Sequence, residues 1–210
     1  MATSLPPPAF YDPTVHTHLL PSFAALQITC ILTDHTIATF LPPFSSLADE
    51  RVISWWHSRS AQVSNGTRVI CMQLTPDGVL AGYVMLNLTG KGYETGPHRG
   101  EVEKLLVHPN FRRMGVAKRV MGLLEEAARE EGTWLLVRIF DFGVRGSGEE
   151  LMRRHSNSIR KKDRRRRRFT PLGLDEDGEG PDYGISPKDG SLKAEVFFYK
   201  DLRKSAPLTY

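Results

Sequence analysis

The stretch GEVEKLLVHPNFRRMGVAKRVMGLLEEAAREE, residues 100–131, decides the fold that this sequence predicts. Residues 102–107 form a mostly apolar run that is typical of a strand, and Pro109 ends it because proline cannot donate a ladder hydrogen bond. After a loop over residues 112–117, apolar side chains recur at three- and four-residue steps, which is typical of a helix. These positions are Val116, Val120, Leu123, Leu124, Ala127 and Ala128. The stretch therefore predicts a strand–loop–helix unit.

The loop of this unit predicts an anion site. Gly115 stands at the start of the helix, where free backbone N–H groups and the helix dipole favour negative charge, and it lets the backbone approach a ligand closely. Ala117 keeps the first turn slim, while Arg112, Arg113 and Lys118 supply positive charge. Two phosphates fit such a site better than one carboxylate. The alternative is an ordinary strand-to-helix turn with two exposed arginines.

Length and composition indicate one ordinary globular domain with a Pro-rich arm over residues 1–18. The chain has 210 residues, of which 40% are hydrophobic and 25% charged. No apolar run approaches the ~20 residues of a membrane span, and no secretory signal is visible, so we expect a cytoplasmic protein without a membrane partner. Cys30 and Cys71 lie far apart in apolar surroundings, which favours buried free thiols.

The formal net charge of +4 comes from one local tract. Residues 153–168 contain 10 of the 28 Lys and Arg residues and a single acid, Asp163, so the remaining chain is acidic, with 18 bases and 23 acids. Nucleic-acid binding by the whole domain is therefore not expected. We interpret residues of about 155–180 as a solvated, disorder-prone insert. The alternative is a nuclear signal or a nucleic-acid-binding arm.

The other predicted elements are three helices and four strands, and the first two of these strands begin an antiparallel meander. Helices are predicted at residues 19–33, 47–63 and 147–155, and strands at 67–75, 80–88, 134–140 and 194–200. Pro76-Asp77-Gly78 joins the first two strands as a hairpin. The meander therefore leads into the strand–loop–helix unit.

The loop and its flanking strand resemble the acetyl-coenzyme A motif of the GNAT family of N-acetyltransferases, similar to its small-molecule, antibiotic-resistance-like branch. Arg112, Gly115 and Ala117 match the family pattern Arg/Gln-x-x-Gly-x-Gly/Ala, and the resemblance covers residues 18–136 and 181–203. It implies one domain over residues 19–203, with an α/β fold. In that fold a mixed, mostly antiparallel twisted sheet carries helices on both faces and is split between its central strands. It also implies acetyl-coenzyme A as co-substrate, a primary amine as acceptor, and no metal.

The resemblance implies a role for each part of the motif. The pyrophosphate would lie on the N–H groups of residues 113–117, and the pantetheine arm would pair with the strand like an extra strand. The acetyl carbonyl would accept a hydrogen bond from the backbone near Leu106 or Val107. The implied cofactor-binding residues are Leu105, Leu106, Val107, Arg112, Arg113, Met114, Gly115, Val116 and Ala117.

The reaction needs a base, because an alkyl amine with a pKa of ~10.4 is protonated at neutral pH. Glu101 and Glu103 lie two residues apart on the central strand and therefore on one face. We expect Glu103 to be the base, with Glu101 in reserve and His108 as a weaker candidate. The alternative is that these carboxylates bind a cationic substrate or pair with arginine.

The acceptor is expected to be a small-molecule amine or a peptide, and a homodimer is left open. Phe40, Trp55 and Trp56 either line the acceptor pocket or pack in the core. His35, His57 and His98 show no metal-ligand spacing.

The second motif of the family is altered. Met152 occupies the position where many members carry a tyrosine that protonates the leaving thiolate, and methionine has no proton to give. An impaired, acyl-coenzyme A-binding relic is therefore an alternative function, and a nucleic-acid-associated protein acting through the basic tract is a weaker one. A further hypothesis is that residues 137–174 are not native coding sequence, since the resemblance stops near Leu136.

Overall fold

The structure is a computed structural model, and it describes residues 5–141, 170–172 and 182–204. Its three helices are α1 (Leu20–Asp34), α2 (Glu50–Ser64) and α3 (Val116–Glu130). Its strands are β1 (Ala9–Phe10), β2 (Arg68–Leu74), β3 (Leu80–Asn87), β4 (Arg99–Val107), β5 (Leu135–Asp141), β6 (Thr170–Leu172), β7 (Asp182–Ile185) and β8 (Leu192–Asp201).

The strands form a sheet in the order β1-β2-β3-β4-β5-β8-β6, and β7 also pairs with β8. Only the β4–β5 pair is parallel among the described strands, so the predicted mixed, mostly antiparallel α/β fold is confirmed. The predicted helix at 147–155, Met152 and the basic tract at 153–168 lie outside the described residues.

The two faces of the sheet carry separate apolar cores. Helices α1 and α2 cover one face and α3 covers the other. Strand β3 contributes to both, because successive side chains of a strand point to opposite faces. Tyr83 and Met85 pack beneath α1 and α2, whereas Val84 and Leu86 pack beneath α3. We call these the α1/α2 face and the α3 face.

The described part of the Pro-rich N-terminal arm is packed against the domain. Ala9–Phe10 pairs with the outer edge of β2, and Tyr11 is buried with its hydroxyl 2.9 Å from Ser60 Oγ. Arg119 Nη1 donates to the carbonyl oxygen of Leu5 at 2.9 Å. The arm therefore reaches the first turns of α3.

Helix α2 begins with a side-chain cap. Asp49 is the N-cap residue and accepts a hydrogen bond from the Arg51 backbone N–H at 3.0 Å. Such caps replace a missing intrahelical partner and typically contribute ~1 kcal/mol. The cap fixes the start of the helix that carries Trp55 and Arg59, two side chains of the candidate site.

Candidate active site

The sheet opens between β4 and β5. The parallel pairing runs from Arg99 opposite Leu135 to Val102 opposite Arg138, and within the described ranges no later residue of β4 pairs with β5. Strand β4 continues to Val107 with β3 on its other side. Residues 103–107 therefore present one free backbone edge in the middle of the sheet, as the resemblance implied.

A β-bulge in β4 lies where this opening begins. Glu103 pairs with Met85 and Leu106 pairs with Tyr83, so two residues of β4 lie opposite Val84. Lys104, one of the two, has a left-handed backbone with φ of 52°. A bulge of this kind bends its strand and changes which face later side chains occupy. After the bulge Leu105 packs on the α3 face and Leu106 on the α1/α2 face.

The free edge presents the backbone of Val107. His108 N–H donates to the Ala81 carbonyl at 2.9 Å. Since inward and outward backbone groups alternate along an antiparallel strand, the groups of Leu106 point to β3 and those of Val107 point to the open side. The Val107 carbonyl accepts from Arg112 Nε at 3.3 Å, and Cys30 Sγ lies 3.7 Å from it. The Val107 N–H is thus the better placed of the two predicted donors.

The loop and first turn at the N-terminus of α3, which we call the cradle, have the open backbone geometry that the sequence predicted for an anion site. Gly115 is the N-cap residue with φ of 80°, and no side chain of the described residues caps this terminus. The first N–H groups of a helix have no intrahelical partner, so those of residues 116–118 are available to a ligand. Arg113, with φ of 63°, and Met114 are exposed beside them.

Arg112 has a carboxylate partner that the sequence did not suggest. Its Nη1 donates to Asp34 Oδ1 at 2.8 Å, and its Nη2 donates to Asp34 Oδ2. Asp34 ends α1, far from Arg112 in the sequence. The pair joins α1 to the cradle loop and offsets the charge of Arg112. Of the three basic residues that the sequence placed at the anion site, Arg113 and Lys118 therefore remain to attract an anion.

The cradle is held against the sheet by a close approach at Gly82. A Cβ built on Gly82 would lie 2.7 Å from Val116 Cγ1 and 2.9 Å from the Leu106 carbonyl oxygen. Any other residue at this position would displace the first turn of α3 from β3 or β4.

We expect Gly82→Ala to lower the free energy of unfolding by about 1–3 kcal/mol, as overpacked interiors do. It should also weaken binding of coenzyme A, since Val116 begins the cradle helix. Urea unfolding and calorimetric titration measure the two effects. Gly92→Ala is the control, because a Cβ there meets nothing within 4 Å. Unchanged stability and affinity in Gly82→Ala would contradict this role.

Glu103 is paired with arginine, which is the alternative that the sequence left open. Arg68 Nη1 donates to Glu103 Oε2 at 2.7 Å, and Asn87 Nδ2 donates to Oε1 at 3.1 Å. The Arg68 side chain is only 2% exposed. A buried guanidinium needs a counterion, and Glu103 supplies it.

Glu101 lies on the same face and has a different environment. It is partly buried and has no ion pair with the described residues. Burial, followed by the charge of Glu103, raises the pKa of Glu101 above its ordinary value of 4.5, although Arg68 and Lys104 oppose the shift. A carboxylate with a raised pKa holds a proton more strongly, which suits a general base.

The aromatic residues expected near the acceptor differ in their burial. Trp56 is fully buried, and its Nε1 donates to Gln27 Oε1 at 3.0 Å, so it is a core residue. Trp55 is partly buried, with Phe40 packed edge-on at a centroid distance of 6.1 Å. The guanidinium of Arg59 lies 4.6 Å from the centre of a Trp55 ring, and Lys104 Nζ lies 5.9 Å from it.

The contacts of His108 and the burial of the two cysteines indicate structural roles for these residues. The Nδ1 atom of His108 accepts from the Asn110 backbone N–H and caps the short helical turn Pro109–Phe111. Cys30 and Cys71 are buried free thiols, as predicted, and burial raises the pKa of Cys30 to about 11. Among the residues that the structure describes, no group of His, Cys, Asp and Glu has the arrangement of a metal site.

Sequence reasoning missed four polar residues of this region: Asp34, Arg59, Arg68 and Asn87. A partial signal existed for two of them. The hairpin at Pro76-Asp77-Gly78 places β2 beside β3, although the register that pairs Arg68 with Asn87 also depends on an irregularity between Gln73 and Leu74. No comparable signal exists for Asp34 or Arg59, because their helices meet the loop and the sheet only through tertiary packing.

Comparisons with known proteins agree with this architecture. A structure of an N-acetyltransferase from Staphylococcus aureus Mu50 has a TM-score of 0.62 at 16% identity, covering 94% of this chain and 99% of that one. A phosphinothricin acetyltransferase from Sinorhizobium meliloti, solved with AcCoA, has a TM-score of 0.63 at 14% identity, covering 96% and 92%. YncA from Salmonella typhimurium, solved with acetyl-CoA, has a TM-score of 0.56 at 17% identity, covering 97% and 98%.

The family model described as Acetyltransferase (GNAT) family matches residues 31–143, more than half of the chain. This corrects the boundary that we placed near Leu136. Residues 137–141 also continue β5 and pair with β8, so the hypothesis of a non-native patch is wrong for them. With the fold, the split sheet and the loop at Gly115, the match shows that the chain belongs to the acetyltransferase (GNAT) family.

Proposed function

We propose that this protein transfers an acetyl group from acetyl-coenzyme A to a primary amine of a small molecule or peptide, by direct attack in a ternary complex. The observation that carries the proposal is the free edge of β4 at Val107, with the cradle at Gly115 at its end and Glu101 on the adjoining face. Family membership and the two related structures solved with acetyl-coenzyme A support the choice of donor.

The donor would be held by backbone groups at both ends. The N–H groups of the loop and first turn, residues 113–117, would bind the diphosphate, with Arg113 and Lys118 adding charge. The pantetheine arm would pair with the edge of residues 105–107. The Val107 N–H, which points to the open side, would donate a hydrogen bond to the acetyl carbonyl and polarise it. The Val107 carbonyl accepts from Arg112.

In the reaction the amine nitrogen forms a bond to the acetyl carbon and the carbon–sulfur bond breaks, so that coenzyme A leaves as a thiolate that takes a proton from water. The amine proton passes to a base. We assign this proton to Glu101, directly or through a water. Glu103 neutralises Arg68 and holds the charged side chains beside Glu101 in place. This assignment reverses the preference from the sequence, in which Glu103 was the base and Glu101 the reserve. Breaking the Glu103–Arg68 pair to accept a proton would leave a buried cation uncompensated.

Binding and turnover test the proposal separately. Acetyl-coenzyme A at a hundredfold excess over its dissociation constant contributes ~2.7 kcal/mol of stability. We therefore expect the melting temperature to rise by about 5–10 °C in a domain of this size. Thiol release from acetyl-coenzyme A with a panel of amines should then detect transfer.

The outcomes separate the transferase from the acyl-coenzyme A-binding relic, two of the functions that the sequence suggested. A thermal shift with thiol release supports the transferase. A shift without release from any amine supports the acyl-coenzyme A-binding relic that Met152 suggested, and no shift at saturating ligand excludes both. Dephospho-coenzyme A is a matched comparison ligand for the thermal-shift measurement, because it keeps the diphosphate that the cradle would bind.

A further inference from the structure

Arg59 is a cation beside Trp55, one of the residues that we expect near the acceptor. The proposed chemistry does not use its charge. It lies on α2, partly buried, with its guanidinium stacked over Trp55 at 4.6 Å. Its Nη2 lies 3.0 Å from Ser58 Oγ, but its Nε is buried without a hydrogen-bond partner among the described residues. A buried donor without a partner is uncommon in native proteins and calls for an explanation, of which a binding role is one.

The charges around Arg59 do not balance. Arg68, whose charge acts on Arg59, is already paired with Glu103, and within the described ranges no carboxylate lies within 4 Å of Arg59. Burial and the charge of Arg68 lower the pKa of Arg59, while Glu103 acts in the opposite direction. Stacking on Trp55 fixes the guanidinium in position without neutralising it. The region therefore holds a positioned cation without a close counterion.

We infer that Arg59 binds an anionic group of the acceptor, so that the acceptor is a small molecule with both a primary amine and a carboxylate, as in an α-amino acid. This inference rests on the proposed function and narrows its substrate. The amine would lie toward Glu101 and the carboxylate toward Arg59, with the Trp55 ring beside both. A planar guanidinium suits a carboxylate because it donates two parallel hydrogen bonds.

The test compares α-amino acids with their own carboxamides as acceptors of the wild-type protein. Thiol release gives kcat/KM for each member of a pair, referred to the neutral-amine fraction because amidation lowers the amine pKa. We expect the best amino acid to exceed its amide by about 10- to 100-fold, the range of a hydrogen bond to a charged group. A preference for amides, or for amines without negative charge, overturns the inference and leaves the proposed transferase intact.

Variants then assign the preference to Arg59. Arg59→Ala should raise KM for the amino acid about 10- to 100-fold and leave the amide unchanged, and Arg59→Lys should restore part of the preference. Arg203→Ala is the matched control, because Arg203 also stacks on a tryptophan, Trp134, but one that packs on the α3 face. Equal losses for acid and amide in Arg59→Ala overturn the inference. If no amine gives thiol release, the result contradicts the proposed function and the inference together.

Discussion

Replacing Glu101 by glutamine is expected to lower kcat about 10²- to 10⁴-fold, the usual contribution of a general base. The substitution keeps the size and the hydrogen-bonding capacity of the side chain and removes its ability to accept a proton. Coenzyme A affinity should not change, because Glu101 lies on the α1/α2 face, away from the cradle. Single-turnover acetylation of an accepted amine and calorimetric titration of coenzyme A measure the two quantities.

The pH dependence gives a second signature of the same residue. Glu101 acts only when deprotonated, and its pKa is raised by burial and by the charge of Glu103. The acid limb of the wild-type rate profile should therefore lie at higher pH than an ordinary carboxyl group would place it. In Glu101→Gln this limb should disappear, whereas the separate rise that follows deprotonation of the amine should remain.

Glu103→Gln is the matched control for Glu101→Gln. It leaves the buried Arg68 without its counterion, so we expect a loss of about 3 kcal/mol of stability, seen in urea unfolding, and a smaller effect on kcat. If Glu103→Gln instead keeps its stability and loses as much activity as expected for Glu101→Gln, the base is Glu103, as the sequence alone suggested.

The backbone framework of the site could be predicted from the sequence because its signals are local. The apolar run before Pro109, the glycine before an apolar period of three and four, and the Pro76-Asp77-Gly78 turn each act within a few residues. The observed elements β4, α3 and the β2–β3 hairpin follow from them with small shifts at their ends.

The bulges could not be predicted in this way. A strict period of two from Glu103 places residue 105 on the α1/α2 face, but the extra residue at Lys104 moves Leu105 to the α3 face and Leu106 to the α1/α2 face. A second irregularity, between Gln73 and Leu74, sets the register that brings Arg68 opposite Asn87. Each costs backbone energy locally, and only the packed sheet stabilises it.

The polar partners depend on these irregularities. Glu103 contacts Arg68 across two strands, and Arg112 contacts Asp34 at the end of α1, so both ion pairs require the finished tertiary structure. Residue type alone suggested that Glu103 and Arg112 were available for chemistry and for binding. The fold gives each of them a partner, whereas among the described residues of the site Glu101 has a raised pKa and Arg59 has no carboxylate within 4 Å.

The cradle assignment predicts a large and selective effect at Gly115. Gly115 and Gly132 both have positive φ, 80° and 69°, and a Cβ on either meets nothing within 4 Å. Replacement by alanine should therefore cost about 1 kcal/mol of stability at each position, from the left-handed backbone alone. Gly132 follows the C-terminal end of α3, whereas Gly115 begins it.

Of the two variants, only Gly115→Ala should weaken the binding of coenzyme A. Its Cβ would enter the open space in which a diphosphate must approach the N–H groups of residues 116–118. Loss of charge-assisted hydrogen bonds to these groups corresponds to about a 10- to 100-fold rise in Kd, measured by calorimetric titration. Equal affinities in the wild type, Gly115→Ala and Gly132→Ala would place the diphosphate elsewhere. Equal losses in both variants would show that the effect comes from helix stability, because the two substitutions share their backbone cost and differ in which end of α3 they alter.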